Sequence, residues 1–382
     1  MKKIQFISSR KKAENSCDIP LLITVIILAL FGTTMVFSAG YAYAYARYGD
    51  ALYFVKRQLI WLFIGFFVMY LASKINVHTI KKSTLYIYAL TIFLLILVLV
   101  VGFVGNGAKR WISIGPITIQ PSEIAKIAII LMLAYYFSEN SDKALDYSSR
   151  KKVFIYATLL PIGIMALPIF LVMLQKHLSC IIILGLIGIS MIIASGANTK
   201  YIKAFCLTGA LGVTALAIFT DYTKERILVW QNPEAYKLTG GWQTLQGLMA
   251  IGSGGVFGVG LGKGVMKHCY VSEPANDMIF AILCEETGIM GAVFALFLFA
   301  TVVFRGYKIA IKSTDTYSRL IAFGISTKMA IQVLLNVAVV TNTIPNTGIS
   351  LPFFSYGGSS LIMLLCEMGI LLAISKNAKI VR

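Results

Sequence analysis

The stretch Val271–Gly288 reads VSEPANDMIFAILCEETG and decides the fold class of the chain. It begins with polar residues and then enters apolar sequence that continues to about Phe304. Asp277 is therefore predicted to lie where a membrane-spanning helix meets water, with Glu285 and Glu286 about two turns further along that helix. Acidic side chains are costly in a bilayer and are retained there for a pathway, a pairing or chemistry. Two interpretations of Asp277 stay open: a functional carboxylate, or only the N-cap of the helix.

The composition is that of a polytopic membrane protein. Hydrophobic residues make up 58% of the 382 positions and charged residues only 13%, about half the charged fraction of an average soluble domain. The formal net charge is +18, but the cations cluster between apolar segments, which favours membrane orientation and anionic lipid headgroups over nucleic acid as their role. The six cysteines form no CxxC pair and mostly fall inside apolar runs. We interpret them as small hydrophobic residues that neither form disulfides nor bind metal.

Apolar runs long enough to cross a bilayer recur along the chain and predict an all-α fold of about ten transmembrane helices in a single membrane domain, residues 1–382. The predicted spans are 20–39, 58–74, 84–105, 123–137, 153–174, 177–196, 203–220, 277–304, 320–340 and 350–374. With a cytoplasmic N-terminal tail at 1–19, the inside segments hold about 21 Lys and Arg and the outside segments about 11, as the positive-inside rule requires. Both termini are then cytoplasmic. The loop 221–276, between the seventh and eighth spans, is a large extracytoplasmic loop.

The outer loops are irregular, polar and rich in glycine, whereas the inner loops are plain and basic. The second outer loop, 105–126, is predicted to form a tight re-entrant or surface turn because its Gly and Pro residues prevent a long helix. It presents Lys109 and Arg110 beside Trp111, a group that suits a phosphate at the membrane surface. It also suits ordinary lipid headgroups, which taken alone is the favoured interpretation. The last outer loop, 341–361, is again broken by Pro and Gly and carries many hydroxyls. This asymmetry places the working surface on the outer side.

Polar residues inside the predicted spans indicate pairing between helices. Glu123 and Lys126 stand at i and i+3 at a helix start and predict an ion pair, either structural or part of a site. Lys328, Gln332 and Asn336 form a polar stripe on one helix face, a pattern that often only holds membrane helices together.

Neither a nucleotide loop nor a metal cluster is predicted. Ten glycines fall between Gly240 and Gly264, but their spacing matches neither GxGxxG nor GxxxxGK[ST]. Within this stretch Trp242 to Phe257 has the apolar residues of a short interfacial helix. His177 stands alone at a helix start and has no second His nearby to complete a metal site.

Four segments together resemble the SEDS family (shape, elongation, division and sporulation proteins), especially its FtsW and SpoVE branches. They are, in order, GAKRWISIGPITIQPSEIAK (107–126), QNPEAYKLTGGWQTLQGLMAIGSGGVFGVGLGKG (231–264), EPANDMIFAILCEETG (273–288) and IPNTGISLPFFSYGGSSL (344–361). The resemblance implies a peptidoglycan glycosyltransferase that polymerises lipid II at the outer face of the bacterial cytoplasmic membrane, for division or sporulation. It also implies a partner, a transpeptidase of the class B penicillin-binding type.

The resemblance assigns roles by position. Asp277 matches the family's essential aspartate, and the polar residues of the second outer loop and the following helix match residues that line the family's cavity: Lys109, Arg110, Glu123 and Lys126. In the last outer loop we expect the hydroxyls and glycines to shape the lipid-linked substrate site: Ser355, Gly357, Gly358 and Ser359. The chain departs from the family pattern at 272–275 and at Lys176 and Cys180, and these departures bear on the subfamily.

The implied reaction is attack of a sugar 4-hydroxyl on an anomeric carbon whose leaving group is undecaprenyl pyrophosphate. A sugar hydroxyl is a weak nucleophile, so the reaction needs a general base, the role predicted for Asp277. The charge of the departing pyrophosphate would be met by Lys109, Arg110 or a divalent cation such as Mg or Mn, and no organic cofactor is expected. A single base without a paired acid fits inversion at the anomeric carbon.

Two alternatives from other functional classes remain. Broken helices and buried charges are also found in transporters, so the chain could be a lipid II flippase. It could also be a non-catalytic scaffold for a penicillin-binding protein. A flippase should carry polar residues through both leaflets, whereas the inner halves of these spans are poor in them apart from Glu285, Glu286 and Glu367.

Overall fold

The computed structural model describes residues 17–105, 108–115, 117–144, 150–196 and 221–378. These residues fold into helices with one small sheet. The helices are α1 (Ile19–Tyr48), α2 (Tyr53–Lys74), α3 (Val77–Val101), α4 (Pro121–Ala144), α5 (Arg150–Phe154 and Leu160–Leu174, joined by the π-helical turn Ile155–Leu159), α6 (Leu178–Ala194), α7 (Asp221–Gln231), α8 (Gly241–Gly254), α9 (Ile279–Lys312), α10 (Thr316–Val340) and α11 (Gly358–Asn377). The all-α membrane fold predicted from the sequence is confirmed.

Eight of the described helices are long and apolar enough to cross a membrane, and the shorter α6 is also apolar. Each coincides with a predicted span, while the predicted span 203–220 lies outside the described residues. The last span begins at Gly358, later than the predicted residue 350, because an irregular segment that includes Pro352 and Gly357 precedes it.

The second outer loop forms a three-stranded antiparallel sheet instead of a simple turn. Its strands are β1 (Phe103–Gly105), β2 (Ala108–Ile114) and β3 (Ile117–Ile119), in the order β1-β2-β3. Ile112 pairs with Ile119 across the second hairpin, and β-branched residues such as these favour strands. Gly115 supplies the positive φ of 61° that the connecting turn requires.

Helix α9 breaks at Gly288, whose φ of 66° and ψ of −168° belong to a region that is almost exclusive to glycine. The part before the break is buried and carries Asp277 just ahead of its first residue, Ile279. Helix α8 packs along this buried part, with Gly247 facing Met278. The short interfacial helix predicted within Trp242 to Phe257 is therefore present as α8, lying against the candidate aspartate.

Small residues set the close approach of the membrane helices. In α11, Gly369 lies against the carbonyl of Met69 and the side chain of Ala72 in α2, so a Cβ at this position would collide with backbone. Lipid supplies little hydrophobic driving force between helices, so association depends on such close packing and on buried polar pairs. One of these pairs, Lys328 with Glu367 at 2.5 Å, joins α10 to α11.

Gly369→Ala should destabilise the protein in detergent by about 1–3 kcal/mol, since the added methyl overpacks the contact between α2 and α11. Gly163→Ala is the matched control, because Gly163 lies in a helix with open space where its Cβ would stand. The control should leave the melting temperature unchanged or raise it slightly. Equal melting temperatures for both variants would show that the approach at Gly369 is not tight.

Candidate active site

A cavity of about 1270 Å³ lies between one set of helix ends, the small sheet and the loop 341–361. Its wall contains both charged and large apolar residues. The carboxylates are Glu123, Glu225, Glu273 and Asp277, the cations are Arg57, Arg110, Lys126, Lys176 and Arg226, and the large apolar residues include Ile60, Trp61, Ile64, Phe103 and Trp111. Such a wall can hold an anionic headgroup and an apolar chain side by side.

Asp277 lines this cavity at the head of α9 and does not cap the helix. The N-cap position belongs to Met278, and no side chain makes a capping hydrogen bond. Gln243 Nε2 donates long hydrogen bonds to both carboxylate oxygens of Asp277, at 3.4 and 3.5 Å. Burial, and secondarily the charge of Glu273, raise the pKa of Asp277 to about 6, although Gln243 and Arg226 act in the opposite direction. The capping interpretation is therefore wrong, and the carboxylate is poised to exchange a proton near neutral pH.

Hydrogen bonds connect the backbone around Asp277 to the last outer loop. Asn336 Nδ2 donates to the carbonyl of Asp277 at 3.0 Å and to that of Ile349 at 2.6 Å. Ser355 Oγ donates to the carbonyl of Asn276 at 2.6 Å. The polar stripe on α10 thus does more than join helices, since its outermost member positions the aspartate.

Glycines of the last outer loop leave room in the cavity. Gly348 has a φ of 66°, and a Cβ there would stand 3.5 Å from Asp277 Oδ2. A Cβ at Gly358 would lie 2.6 Å from the Trp61 ring. Of the residues predicted to shape the substrate site, Gly357 and Gly358 line the cavity. Ser355 instead donates a hydrogen bond to the backbone of Asn276. Ser360 lines the cavity in place of Ser359.

The ion pair predicted from spacing is present. Lys126 Nζ lies 2.7 Å from Glu123 Oε1, and both side chains are buried at the start of α4 while still facing the cavity. The pair formed by Lys328 and Glu367 lies behind it, and a second, very small cavity is lined by Glu123, Lys328 and Gln332. Pairing allows these charges to be buried, because either charge without its partner would strongly destabilise the fold.

The two cations of the second outer loop have different positions. Lys109 is exposed and is not among the residues that line the cavity. Arg110 lines the cavity and donates from Nη2 to the carbonyl of Lys176 at 2.5 Å and from Nε to that of Gln175 at 3.4 Å. These bonds fix the guanidinium at the end of α5.

Three cavity cations were not identified from the sequence: Arg57, Lys176 and Arg226. Arg57 stacks on Tyr53, 4.4 Å from the ring centroid, in a Tyr-rich segment that is typical of membrane anchoring. Arg226 donates to the carbonyl of Asn346. The departure of Lys176 from the family pattern was the one feature of the sequence that could have pointed to an additional cation in the cavity.

His177 also lines the cavity, as a neutral side chain. Burial and the nearby charges of Arg110 and Lys126 lower the pKa of His177 to about 3. Among the described residues, no group of three or more His, Cys, Asp and Glu side chains could hold a metal ion. A divalent cation would therefore take many of its oxygen ligands from a bound phosphate, as Mg²⁺ often does.

The sequence model of the FTSW_RODA_SPOVE family, described as cell cycle protein, matches residues 19–380. Stage V sporulation protein E of Bacillus subtilis is 38% identical over 368 residues, covering 96% of this chain and 99% of that relative. A probable peptidoglycan glycosyltransferase FtsW of Geobacter sulfurreducens is 36% identical over 365 residues, covering 95% and 96%. A chain from a peptidoglycan synthase complex, solved to explain the coordination of polymerization and crosslinking, superposes with a TM-score of 0.77 at 25% identity, covering 94% of this chain and 98% of that one.

Asp277→Asn should stabilise the fold above about pH 6 and leave its stability unchanged near pH 4. The folded-state pKa is raised from 3.8 to about 6, so ionising the carboxyl costs stability as the pH rises through this window. The gain is at most about 3 kcal/mol at pH 8, and less because the carboxyl faces the cavity. Thermal melting at both pH values measures it. A pH-independent effect of Asp277→Asn would contradict the raised pKa.

Proposed function

The chain belongs to the FTSW_RODA_SPOVE family of cell cycle proteins, and from that premise we propose that it is a peptidoglycan glycosyltransferase that polymerises lipid II. The observation that carries the proposal is the carboxylate of Asp277, with its pKa raised to about 6, on the wall of a cavity that is also lined by several cations and by large apolar residues. Relatives that it matches over almost their whole length include a probable peptidoglycan glycosyltransferase.

Asp277 acts as the general base in this proposal. Its ionised carboxylate accepts the proton of the sugar 4-hydroxyl while the oxygen attacks the anomeric carbon, and the bond to undecaprenyl pyrophosphate breaks on the opposite face. A base with a pKa near the working pH combines a useful ionised fraction with a strong affinity for the proton. Gln243, which donates to both carboxylate oxygens, orients the base without neutralising it.

The cations of the cavity stabilise the pyrophosphate as its charge develops. Arg110 is held by the carbonyls of Gln175 and Lys176, so its guanidinium needs little reorganisation. Lys126 remains beside Glu123 and contributes from the floor of the cavity. A divalent cation, Mg or Mn, stays a prediction of the proposal; it would supply further charge neutralisation when bound with the substrate phosphates.

The apolar wall would take the first part of the undecaprenyl chain. Ile60, Trp61 and Ile64 follow one face of α2 and line the cavity, and Ile60 is 59% exposed. A lipid-linked substrate could thus keep its chain in the bilayer while its pyrophosphate meets the cations.

The proposed activity also implies a cellular location, an orientation and a partner. The chain is a multi-pass membrane protein, and we place it in the bacterial cytoplasmic membrane with both termini in the cytoplasm and the cavity outside. A transpeptidase of the class B penicillin-binding type is the proposed partner, because glycan strands need crosslinking. The structural relative from a complex that couples polymerization to crosslinking supports this pairing.

Asp277→Asn should abolish polymerisation of lipid II by the purified protein reconstituted with its partner. The amide keeps the shape of the side chain but removes its basicity, so the rate should fall by about 100-fold or more. Gel analysis of glycan products measures the rate, and binding of the partner serves as the control for folding. Full activity of the variant would remove Asp277 as the base, and translocation of lipid II without polymer would favour the flippase alternative.

Glu123 and Lys126 should prove to be a functional pair as well as a structural one. Either Glu123→Gln or Lys126→Met alone should destabilise the fold by about 3–5 kcal/mol, since a buried charge loses its partner. The double variant should recover most of the melting temperature but remain inactive in lipid II polymerisation. A double-mutant cycle that measures stability and activity separately gives the result. Recovery of both quantities would limit the pair to a structural role.

A further inference from the structure

The break in α9 is closed by a separate segment of chain, which we call the wedge loop (residues 255–267). It follows α8 and lies alongside Gly288, where the helical hydrogen bonds of α9 are interrupted. Loop and helix exchange the missing backbone bonds: Val259 N to Glu285 O at 3.0 Å, Gly260 N to Glu286 O at 3.0 Å, Ile289 N to Gly255 O at 3.0 Å and Met290 N to Val256 O at 3.1 Å. The wedge loop is therefore built into the helix.

Two buried carboxylates of α9 hold further backbone amides of the wedge loop. Glu285 Oε1 accepts from Val265 N at 2.7 Å and from Met266 N at 3.1 Å. Glu286 Oε2 accepts from Gly262 N at 3.1 Å. These bonds give three backbone amides of the loop a buried carboxylate as partner.

A buried ion pair anchors the end of the wedge loop. Lys267 Nζ lies 2.5 Å from Glu286 Oε1 and 3.2 Å from Ser38 Oγ, and Ser38 donates to the other Glu286 oxygen at 2.5 Å. Both charged side chains are completely buried. An uncompensated charge at this position would be strongly destabilising, so the pair ties the loop to α1 and α9.

The exposed side of the wedge loop is mostly apolar, with Lys263 as its one exposed charged residue. Phe257 is 81% exposed and Leu261 58% exposed, and Val256, Val259 and Val265 are also exposed. This surface continues into exposed residues of α9, Ile289, Met290 and Val293. A continuous apolar surface of this kind marks an interaction site and not a water-facing loop.

The position of the wedge loop along α9 identifies what covers it. The part of α9 after the break, residues 289–312, is about 36 Å long, against about 30 Å for the hydrocarbon core. Ile289 therefore lies near the boundary of the leaflet on the cavity side, and the loop lies at the same level. Irregular backbone is tolerated there only when protein groups satisfy its polar atoms, as Glu285 and Glu286 do here.

We propose that the wedge loop inserts its apolar side chains among the acyl chains of the leaflet on the cavity side, held there by the buried Glu286–Lys267 pair. Its occupant is lipid hydrocarbon. The loop also sets the end of α8, the helix that carries Gln243 to Asp277. Lipid contact at this site is thereby linked to the geometry of the candidate base, a consequence that rests on the proposed function, whereas the contact itself does not.

Phe257→Trp in liposomes whose lipids carry bromine on the acyl chains gives a direct test. The fluorescence difference from the parent protein isolates the added indole, which should be quenched by the brominated lipids and protected from aqueous iodide. Leu238→Trp is the matched control, since Leu238 is 90% exposed in the turn before α8 that also contains Lys237 and Thr239. Its added indole should be quenched by iodide and not by the lipids.

Each alternative outcome at position 257 has one meaning. Quenching by iodide without quenching by brominated lipid would place the loop in water and overturn the proposal. Protection from both quenchers would mean that protein covers the loop, and this too would overturn it. Because Phe257 is already exposed, the substitution adds no buried group, so the test does not depend on a destabilised variant. It needs no lipid II, so its failure is distinguishable from failure of the proposed glycosyltransferase activity.

A second arm tests the anchor. In the Phe257→Trp background, Glu286→Gln should make the indole accessible to iodide, because Lys267 loses its partner and the loop is released. Adding Lys267→Met removes the unpaired charge and should restore at least part of the protection. Glu139→Gln, which breaks the more exposed pair with Lys81, should change nothing. Unchanged protection in Glu286→Gln, with normal melting, would overturn the anchoring role of the pair.

Discussion

The cost of an unpaired charge in an apolar environment governs the arrangement of this protein. Most of its buried charged side chains in the described residues occur in pairs. Glu123 pairs with Lys126 within one helix, and three pairs join distant segments: Asp18 with Arg305, Glu286 with Lys267 and Lys328 with Glu367. Glu285 is the exception, since it accepts hydrogen bonds from backbone amides. Each pair removes a cost that neither partner could bear alone. Asp277 differs from these, because its hydrogen bonds from a neutral amide are long and burial raises its pKa. Elsewhere the cost of burying a charge is offset by an ion-pair partner, whereas at Asp277 it appears as a raised pKa.

The site is assembled by contacts between segments that are distant in sequence. Asn336 on α10 holds the carbonyls of Asp277 and Ile349, and Ser355 holds that of Asn276. Gln243 reaches the aspartate from α8, while Asn346 Nδ2 donates to the side-chain oxygen Oε1 of Gln243 at 3.2 Å. A general base must be fixed to within a fraction of an ångström to be effective. The many backbone bonds around residues 275–277 are therefore as much a part of the candidate active site as the carboxylate itself.

The wedge loop provides partners for the backbone groups at the break in α9. A break at Gly288 would normally leave carbonyls and amides of α9 unsatisfied, but residues 255–260 of the loop replace the lost bonds. The arrangement lets Ile279–Thr287 pack against α8, while the rest of α9 continues as a membrane-spanning helix. The proposed lipid contact and the position of the candidate base therefore depend on one set of hydrogen bonds.

The amino-acid sequence by itself determined the features that depend on local periodicity and spacing. Nine predicted spans coincide with described helices, and the Glu123–Lys126 pair followed from its i, i+3 positions on one helix. Only the tertiary structure decided that Asp277 does not cap α9, that Lys109 lies away from the cavity wall while Arg57 contributes to it, and that Lys267 pairs with Glu286. Period and spacing are properties of neighbouring residues, which a helix places on one face whatever surrounds it. The partners of a buried charge are chosen by the packing of the whole bundle, because the free energy of desolvation must be offset by groups that the chain brings together only when it folds.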